Sequence, residues 1–155
     1  MPILKDTQPL SGVDVLLLES TYGDRRHPAE DPLESLRRVI IQTYAERGHL
    51  LIPSFAVGRA QQLLFLLNEL KKKNAIPDMP VYVNSPMAAK ATQLLFQFEA
   101  EHSLNRKQVE ALIGSARFAS TVEESKRLND PPKPSIIISA SGMATGGRIL
   151  HHLKF

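Results

Sequence analysis

Ser135-Ile136-Ile137-Ile138-Ser139, running into Ala140-Ser141-Gly142-Met143-Ala144-Thr145-Gly146-Gly147-Arg148, is the stretch that decides the fold. The three isoleucines are β-branched and continuous, with no polar residue between them. A strand that alternates apolar and polar has one wet face, whereas an unbroken apolar run is covered on both. The glycine-rich loop that follows leads into a helical pattern from Gly146 to Lys154. Apolar run, short loop, helix is the unit of a parallel α/β sheet.

The unit repeats upstream. Apolar runs at Val13–Leu18, His49–Ile52 and Pro80–Val83, and a weaker one at Arg117–Ser120, read as four more strands. Helical patterns lie between them. Asp31-Pro32 is an N-cap followed by proline at the first helical position, and Leu33, Leu36, Val39, Ile40, Thr43 and Tyr44 recur at helical spacing. Arg47-Gly48 reads as that helix's end, with glycine as the terminating residue. Further helices are expected over Arg59–Lys73, Met87–Glu101 and Asn105–Ile113. Thr121 and Glu124 form a capping box for a short helix ending near Leu128. Lys71-Lys72-Lys73 reads as a solvated helix end, and His151-His152 as a basic last turn. Asn129–Pro134 is a stiff, proline-rich loop. The predicted class is α/β, a three-layer α/β/α, Rossmann-like doubly wound and mostly parallel sheet. The Ile136–Ile138 run should have a neighbour on each side. Because the sequence stops soon after it, two expectations stay open: one neighbour is missing, or the strand lies near an edge of the sheet.

Composition narrows the chemistry. The 155 residues suit one domain, 43% are hydrophobic and 23% charged, and the net charge is +3. With no cysteine there is no disulfide framework and no thiol nucleophile. No apolar run approaches the ~20 residues that span a bilayer, and Met1–Leu10 does not read as a signal peptide. No membrane partner is expected, and the expected location is the cytoplasm. His27, His49 and His102 are scattered, and neither His-x-His nor His-Glu-x-x-His occurs, so no metal site is expected within the chain.

In open parallel sheets ligands bind beyond the carboxyl ends of the strands. Every predicted strand end here carries a hydroxyl, and three carry arginine. Helix-start amides, hydroxyls and guanidinium groups together suit phosphate oxygens, although serine and threonine are also ordinary N-caps. The loop at Ser141–Arg148 matches neither a P-loop nor Gly-x-Gly-x-x-Gly. Glu19 is the one acid at a predicted strand end; orienting a histidine, binding a metal and capping a helix are all open to it.

Four of these loops carry a resemblance. Glu19-Ser20-Thr21-Tyr22-Gly23-Asp24-Arg25, Ile52-Pro53-Ser54-Phe55-Ala56-Val57-Gly58-Arg59-Ala60-Gln61, Val83-Asn84-Ser85-Pro86-Met87-Ala88 and Ile138–Arg148 resemble, in order, the motifs of the β-CASP family. These are RNA-processing nucleases of the metallo-β-lactamase superfamily, including the endonuclease subunit of the pre-mRNA cleavage and polyadenylation machinery and its bacterial and archaeal homologues. The resemblance spans about Pro2 to Lys154. It implies a β-CASP domain inserted in a metallo-β-lactamase domain, with the active site between them. Two zinc ions, held in relatives by a His-x-His-x-Asp-His motif and further ligands, activate water against an RNA phosphodiester.

That motif is absent here, so the zinc ions belong to an intact parent and this chain alone is expected to bind no metal and cut nothing. Residues 1–12 are expected to flank from the metallo-β-lactamase domain. Residues 13–155 are expected to form the β-CASP domain, cut before its last strand. Glu19 matches the family's motif A acid, which in relatives bonds a histidine that this chain lacks. Ser54, Gly58, Arg59, Ser85, Ser139, Ser141, Gly142 and Arg148 are implied to line the RNA cleft. The expected partner is single-stranded RNA. A non-catalytic β-CASP interaction module is the alternative, and a general nucleotide-binding Rossmann-like domain a third.

Overall fold

A computed structural model describes residues 3–26, 29–131 and 133–155; His27, and Pro132 of the proline-rich loop, lie outside them. The elements in order are α1 (Pro32–Ala45), β1 (Leu50–Pro53), α2 (Arg59–Lys72), β2 (Val81–Asn84), α3 (Pro86–Gln97), a 3-10 turn at Glu99–Glu101, α4 (Arg106–Gly114), β3 (Arg117–Phe118), α5 (Val122–Arg127), β4 (Ile136–Ser139) and α6 (Ile149–His152).

Local chemistry sets most boundaries. The Asp31 carboxylate accepts from the Leu33 amide at 3.0 Å and Pro32 opens α1. Thr121 and Glu124 bond each other's backbone amides at the start of α5, the predicted capping box. The end of α1 differs from expectation. Gly48 donates to the Thr43 carbonyl and Arg47 to that of Tyr44, both at 3.0 Å, and the left-handed residue is Arg47, with φ 56°. Glycine therefore sits one place past the position that needs positive φ. The last helix is also shorter than its pattern, because the glycine-rich turns persist up to Arg148.

The four strands are all parallel and lie in the order β1-β4-β2-β3. The central strand is β4, pairing Ile136–Ser139 with Leu50–Pro53 on one side and Val81–Asn84 on the other. Neither expectation for this strand holds: β4 is central, and both flanking strands precede it in the chain. The path from β1 to β2 to β3 runs one way across the sheet, and the step from β3 to β4 runs back. Right-handed crossovers then place α2, α3 and α4 on one face and α5 on the other.

The two faces are unequal. Ile136, Ile138, Val81 and Val83 point into a large core with Ile40 of α1, Leu64, Leu67 and Leu70 of α2, Ala88 of α3, and Val109 and Leu112 of α4. The alternate residues Ile137, Tyr82 and Leu51 point into a small cluster with Ala119 and Leu128. Ile3 is buried in the large core, and Leu4 forms an antiparallel bridge to His102.

One predicted strand does not form. Val13–Leu18 has no ladder partner among the described residues and is exposed, Val15 at 79% and Leu17 at 93%. An apolar run becomes a strand only where a neighbour satisfies its backbone groups and a layer covers its side chains. Neither is supplied by these elements.

Candidate nucleic-acid interface

Because the strands are parallel, all four carboxyl ends meet along one edge of the sheet. Ser54 N donates to the Ser139 carbonyl at 2.9 Å, and Ser139 Oγ donates to the Asn84 carbonyl at 3.3 Å. Arg148 Nη1 donates to Asn84 Oδ1 at 2.9 Å and to the Ala119 carbonyl at 3.1 Å, and its Nη2 donates to the Ser120 carbonyl at 3.0 Å. The loops after β1, β4, β2 and β3 are thereby tied together in strand order. The loop after β4 leads to α6, which closes the side that carries Asn84 and Ser125, whereas the neighbouring strands lead to α2 and α3 on the opposite face. Such a change of side is where an open α/β sheet leaves a crevice.

The predicted site residues divide by what their polar atoms do. Ser54 and Ser139 are buried, and their hydroxyls donate to the carbonyls of Phe55 and Asn84. Ser85 caps α3, accepting from the Ala88 amide at 3.2 Å. Ser141 Oγ accepts from the Met143 amide at 3.4 Å. The Ser54 and Ser139 hydroxyls spend their hydrogens inside the edge, whereas those of Ser85 and Ser141 only accept and keep their O–H donors available. Gly142 lies so close to Phe55 that a Cβ would stand 2.9 Å from the Phe55 amide nitrogen. Gly58 has φ 80° and donates its amide to Gln61 Oε1 at 2.7 Å.

Arg59 is exposed at the first position of α2, and its guanidinium makes no hydrogen bond or ion pair among the described residues. Arg148 uses three N–H groups on neutral acceptors and meets no carboxylate among those residues. The carboxylate of Glu124 is taken up by the Ser120 and Thr121 amides, which hold its pKa below the usual carboxylate value. Arg59 and Arg148 therefore bring positive charge to the edge without a carboxylate partner of their own among the described residues.

Glu19 is not part of this edge. It lies in the exposed segment next to Val13–Leu18, where its carboxylate accepts from the Thr21 amide at 3.3 Å. Its expected place at a strand end fails with the strand itself.

Sequence reasoning missed three residues that build the edge. Gln61 is buried and spends its whole amide group: Oε1 on Gly58, and Nε2 on the Ala56 carbonyl at 3.1 Å, Thr92 Oγ1 at 2.9 Å and the Ala88 carbonyl at 3.4 Å. It locks the β1–α2 loop to α3. Asn84 is fully buried, and its Nδ2 donates to Ser125 Oγ at 2.7 Å and to His152 Nε2 at 2.6 Å. His152 stands with His151 in the last turn of α6, as the sequence suggests, and is buried as well. Burial, with the nearby charges of His151 and Arg148, pushes its pKa below the ordinary histidine value. The signal was its spacing. His152 stands four residues after Arg148, on the same face of the last turns, while His151 is turned outward.

The two zinc ions that the resemblance implies find no donor set here: among the described residues no three histidine, aspartate or glutamate side chains cluster. No described helix is long and apolar enough to cross a membrane.

Comparison with known proteins gives a consistent result. The Beta-Casp domain profile matches residues 60–155. A protein named ribonuclease from Thermus thermophilus is 38% identical over 149 residues, covering 91% of this chain and 34% of the relative. An RNase J-like protein of Methanocaldococcus jannaschii is 32% identical, with 92% and 34% covered. The transcription termination factor FttA of Pyrococcus abyssi is 32% identical, with 92% and 23% covered. The chain spans about a third or less of the length of these relatives.

Proposed function

The chain belongs to the Beta-Casp family, and from that membership we propose that its carboxyl edge binds single-stranded RNA within a larger, zinc-dependent ribonuclease. The observation that carries the proposal is the pair of arginines, Arg59 and Arg148, standing at this edge without carboxylate partners among the described residues. A positive edge attracts a polyanion, and the amino-terminal end of α2 beside Arg59 adds the favourable end of a helix dipole. Phe55, 57% exposed against the glycine loop, offers a ring on which a base can stack. RNA-processing relatives support the same substrate class.

Hydrolysis itself belongs to groups outside these residues, since they offer no metal donor set. The exposed Val13–Leu18 run is where the domain meets its metallo-β-lactamase neighbour, and Glu19 orients a histidine contributed from there. Alone, the chain binds RNA and does not cleave it.

The test is fluorescence anisotropy with a short single-stranded oligouridylate across a salt series. Affinity falls as salt rises, and Arg59→Ala lowers the slope by about 0.7, the value for one phosphate contact on a single strand. A mononucleotide bound as tightly as the oligomer would favour the nucleotide-binding alternative. Unchanged affinity and slope in the variant would remove Arg59 from the interface.

A further inference from the structure

We propose that Asn84 and His152 are positioning residues for Arg148, acting as a relay in which a neutral His152 sets the orientation of the Asn84 amide and the amide holds the guanidinium toward the RNA edge. This rests on the reading of that edge as the RNA-binding surface.

The hydrogen-bond directions leave one arrangement. Arginine is only a donor, so the Asn84 atom 2.9 Å from Arg148 Nη1 must be the carbonyl Oδ1. The Asn84 amino group Nδ2 then faces Ser125 Oγ and His152 Nε2. An amino group is only a donor, so Nε2 accepts, and the ring hydrogen of neutral His152 sits on Nδ1. His152 Nδ1 is buried without a hydrogen-bond partner among the described residues. Among the described residues, Asn84 is therefore the group that holds the ring in this tautomer.

Moving the proton breaks the relay. A hydrogen on Nε2, whether in the other tautomer or in the cation, would face the Asn84 amino group donor to donor. Flipping the amide would cure that clash and create another, presenting Nδ2 to Arg148. The Asn84 amide can thus satisfy His152 and Arg148 together only when Nε2 is bare. Arg148 and His151 flank the ring on its own helix side, and Lys126 and Arg127 of α5 line the neighbouring groove between α5 and α6 together with the acid Asp130. Burial, with Arg148 and His151 nearby, disfavours the His152 cation and so favours the state the relay needs.

Arg148 has five N–H groups, and three are engaged. Those on Asn84, Ala119 and Ser120 aim the fork, leaving Nε–H and one N–H of Nη2 for phosphate oxygens. Ala119 and Ser120 accept through backbone carbonyls. Asn84 is the one side chain in the set, so it is the part of the anchor that chemistry elsewhere can turn.

The experiment combines nitrogen-15 NMR of the histidine rings with RNA binding by the full chain, using the same oligouridylate. In the unsubstituted chain His152 shows the Nδ1–H tautomer, and Asn84→Asp converts it to a ring protonated at Nε2. Arg148→Ala weakens binding about tenfold, the effect of one charged hydrogen bond. His152→Ala reproduces most of that loss, His152→Gln restores binding because its amide oxygen can accept from Asn84, and His152→Ala adds nothing in the Arg148→Ala background. An Nε2–H tautomer in the unsubstituted chain overturns the relay whatever the RNA does. Losses that add in the double variant also overturn it, because His152 would then act by some route other than Arg148. If Arg148→Ala leaves binding unchanged while the tautomer is as stated, the reading of this edge as RNA-binding fails and the relay loses its function.

Discussion

Val13–Leu18 and Ile136–Ser139 look alike in sequence and have opposite fates. Both are mainly apolar runs followed by polar loops with glycine, although Asp14 interrupts the first and the apolar part of the second is β-branched throughout. One is the buried centre of the sheet, and the other lies exposed with Leu17 at 93%. Intrinsic preference favours the isoleucine run but does not by itself account for opposite fates. The difference is what each meets: Ile136–Ser139 has a paired strand on both sides and apolar layers on both faces, while Val13–Leu18 has neither among the described residues. A run of this kind specifies that it needs a partner and leaves open which chain or domain provides it.

Substitution is the most direct way to break that contrast. Ile138→Ala, in the large core, should cost about 2–5 kcal/mol in urea unfolding, from lost transfer energy and the cavity left behind. A cost below that range would mean the sheet centre is less tightly packed than the geometry shows. The loop that follows β4 sharpens the contrast, because its path is set by backbone contacts. Gly147 has φ 79°, and a Cβ there would stand 2.5 Å from the Ala140 carbonyl oxygen, whereas one at Gly146 meets nothing within 4 Å. Gly147→Ala should cost about 1–3 kcal/mol, with Gly146→Ala well below it in the same denaturation assay.

Acid pH tests the burial of His152 at the end of this region. Its folded-state pKa is lowered, so the unfolded chain takes up the proton first. The stability that the neutral ring contributes is fully present above the unfolded value of about 6.5 and is lost as the pH falls from there through the folded value. Thermal melts below pH 6.5 should show a decline that His152→Gln reduces. Glu124, whose pKa is lowered from 4.5, adds its own loss only at more acidic pH. A decline identical in the variant would assign the acid sensitivity elsewhere. The smallest effect belongs to the exposed run: Leu17→Ala should change stability by less than about 0.5 kcal/mol. A larger loss would show that Val13–Leu18 packs against this domain after all.

The fold was legible because its signals are local. Asp31-Pro32, the Thr121–Glu124 box and the isoleucine run each carry their own physical cause, and each forms the expected element. The sheet order was not legible, because nothing within Ile136–Ile138 says that its neighbours are the two strands before it. At the edge, the hydroxyls were found as residue types, but their inward bonding was not, since Ser54 and Ser139 look the same in sequence whether they face a ligand or a carbonyl. Asn84 and His152 were overlooked for the converse reason. Their roles come from a contact between positions 68 residues apart, on elements whose proximity only the folded sheet creates.

The strand order also bears on how the chain acquires its shape during synthesis. β1 pairs only with β4 among the described strands, and β2 touches β1 only across β4. When residues 50–53 emerge they have no ladder to join, and they wait for a segment more than eighty residues later. Closing such a distant pairing costs chain entropy before any contact repays it, which makes the central insertion the slow event of folding. Until β4 arrives, the first half of the sheet is a gap flanked by apolar strands, the state in which this chain is most exposed to aggregation.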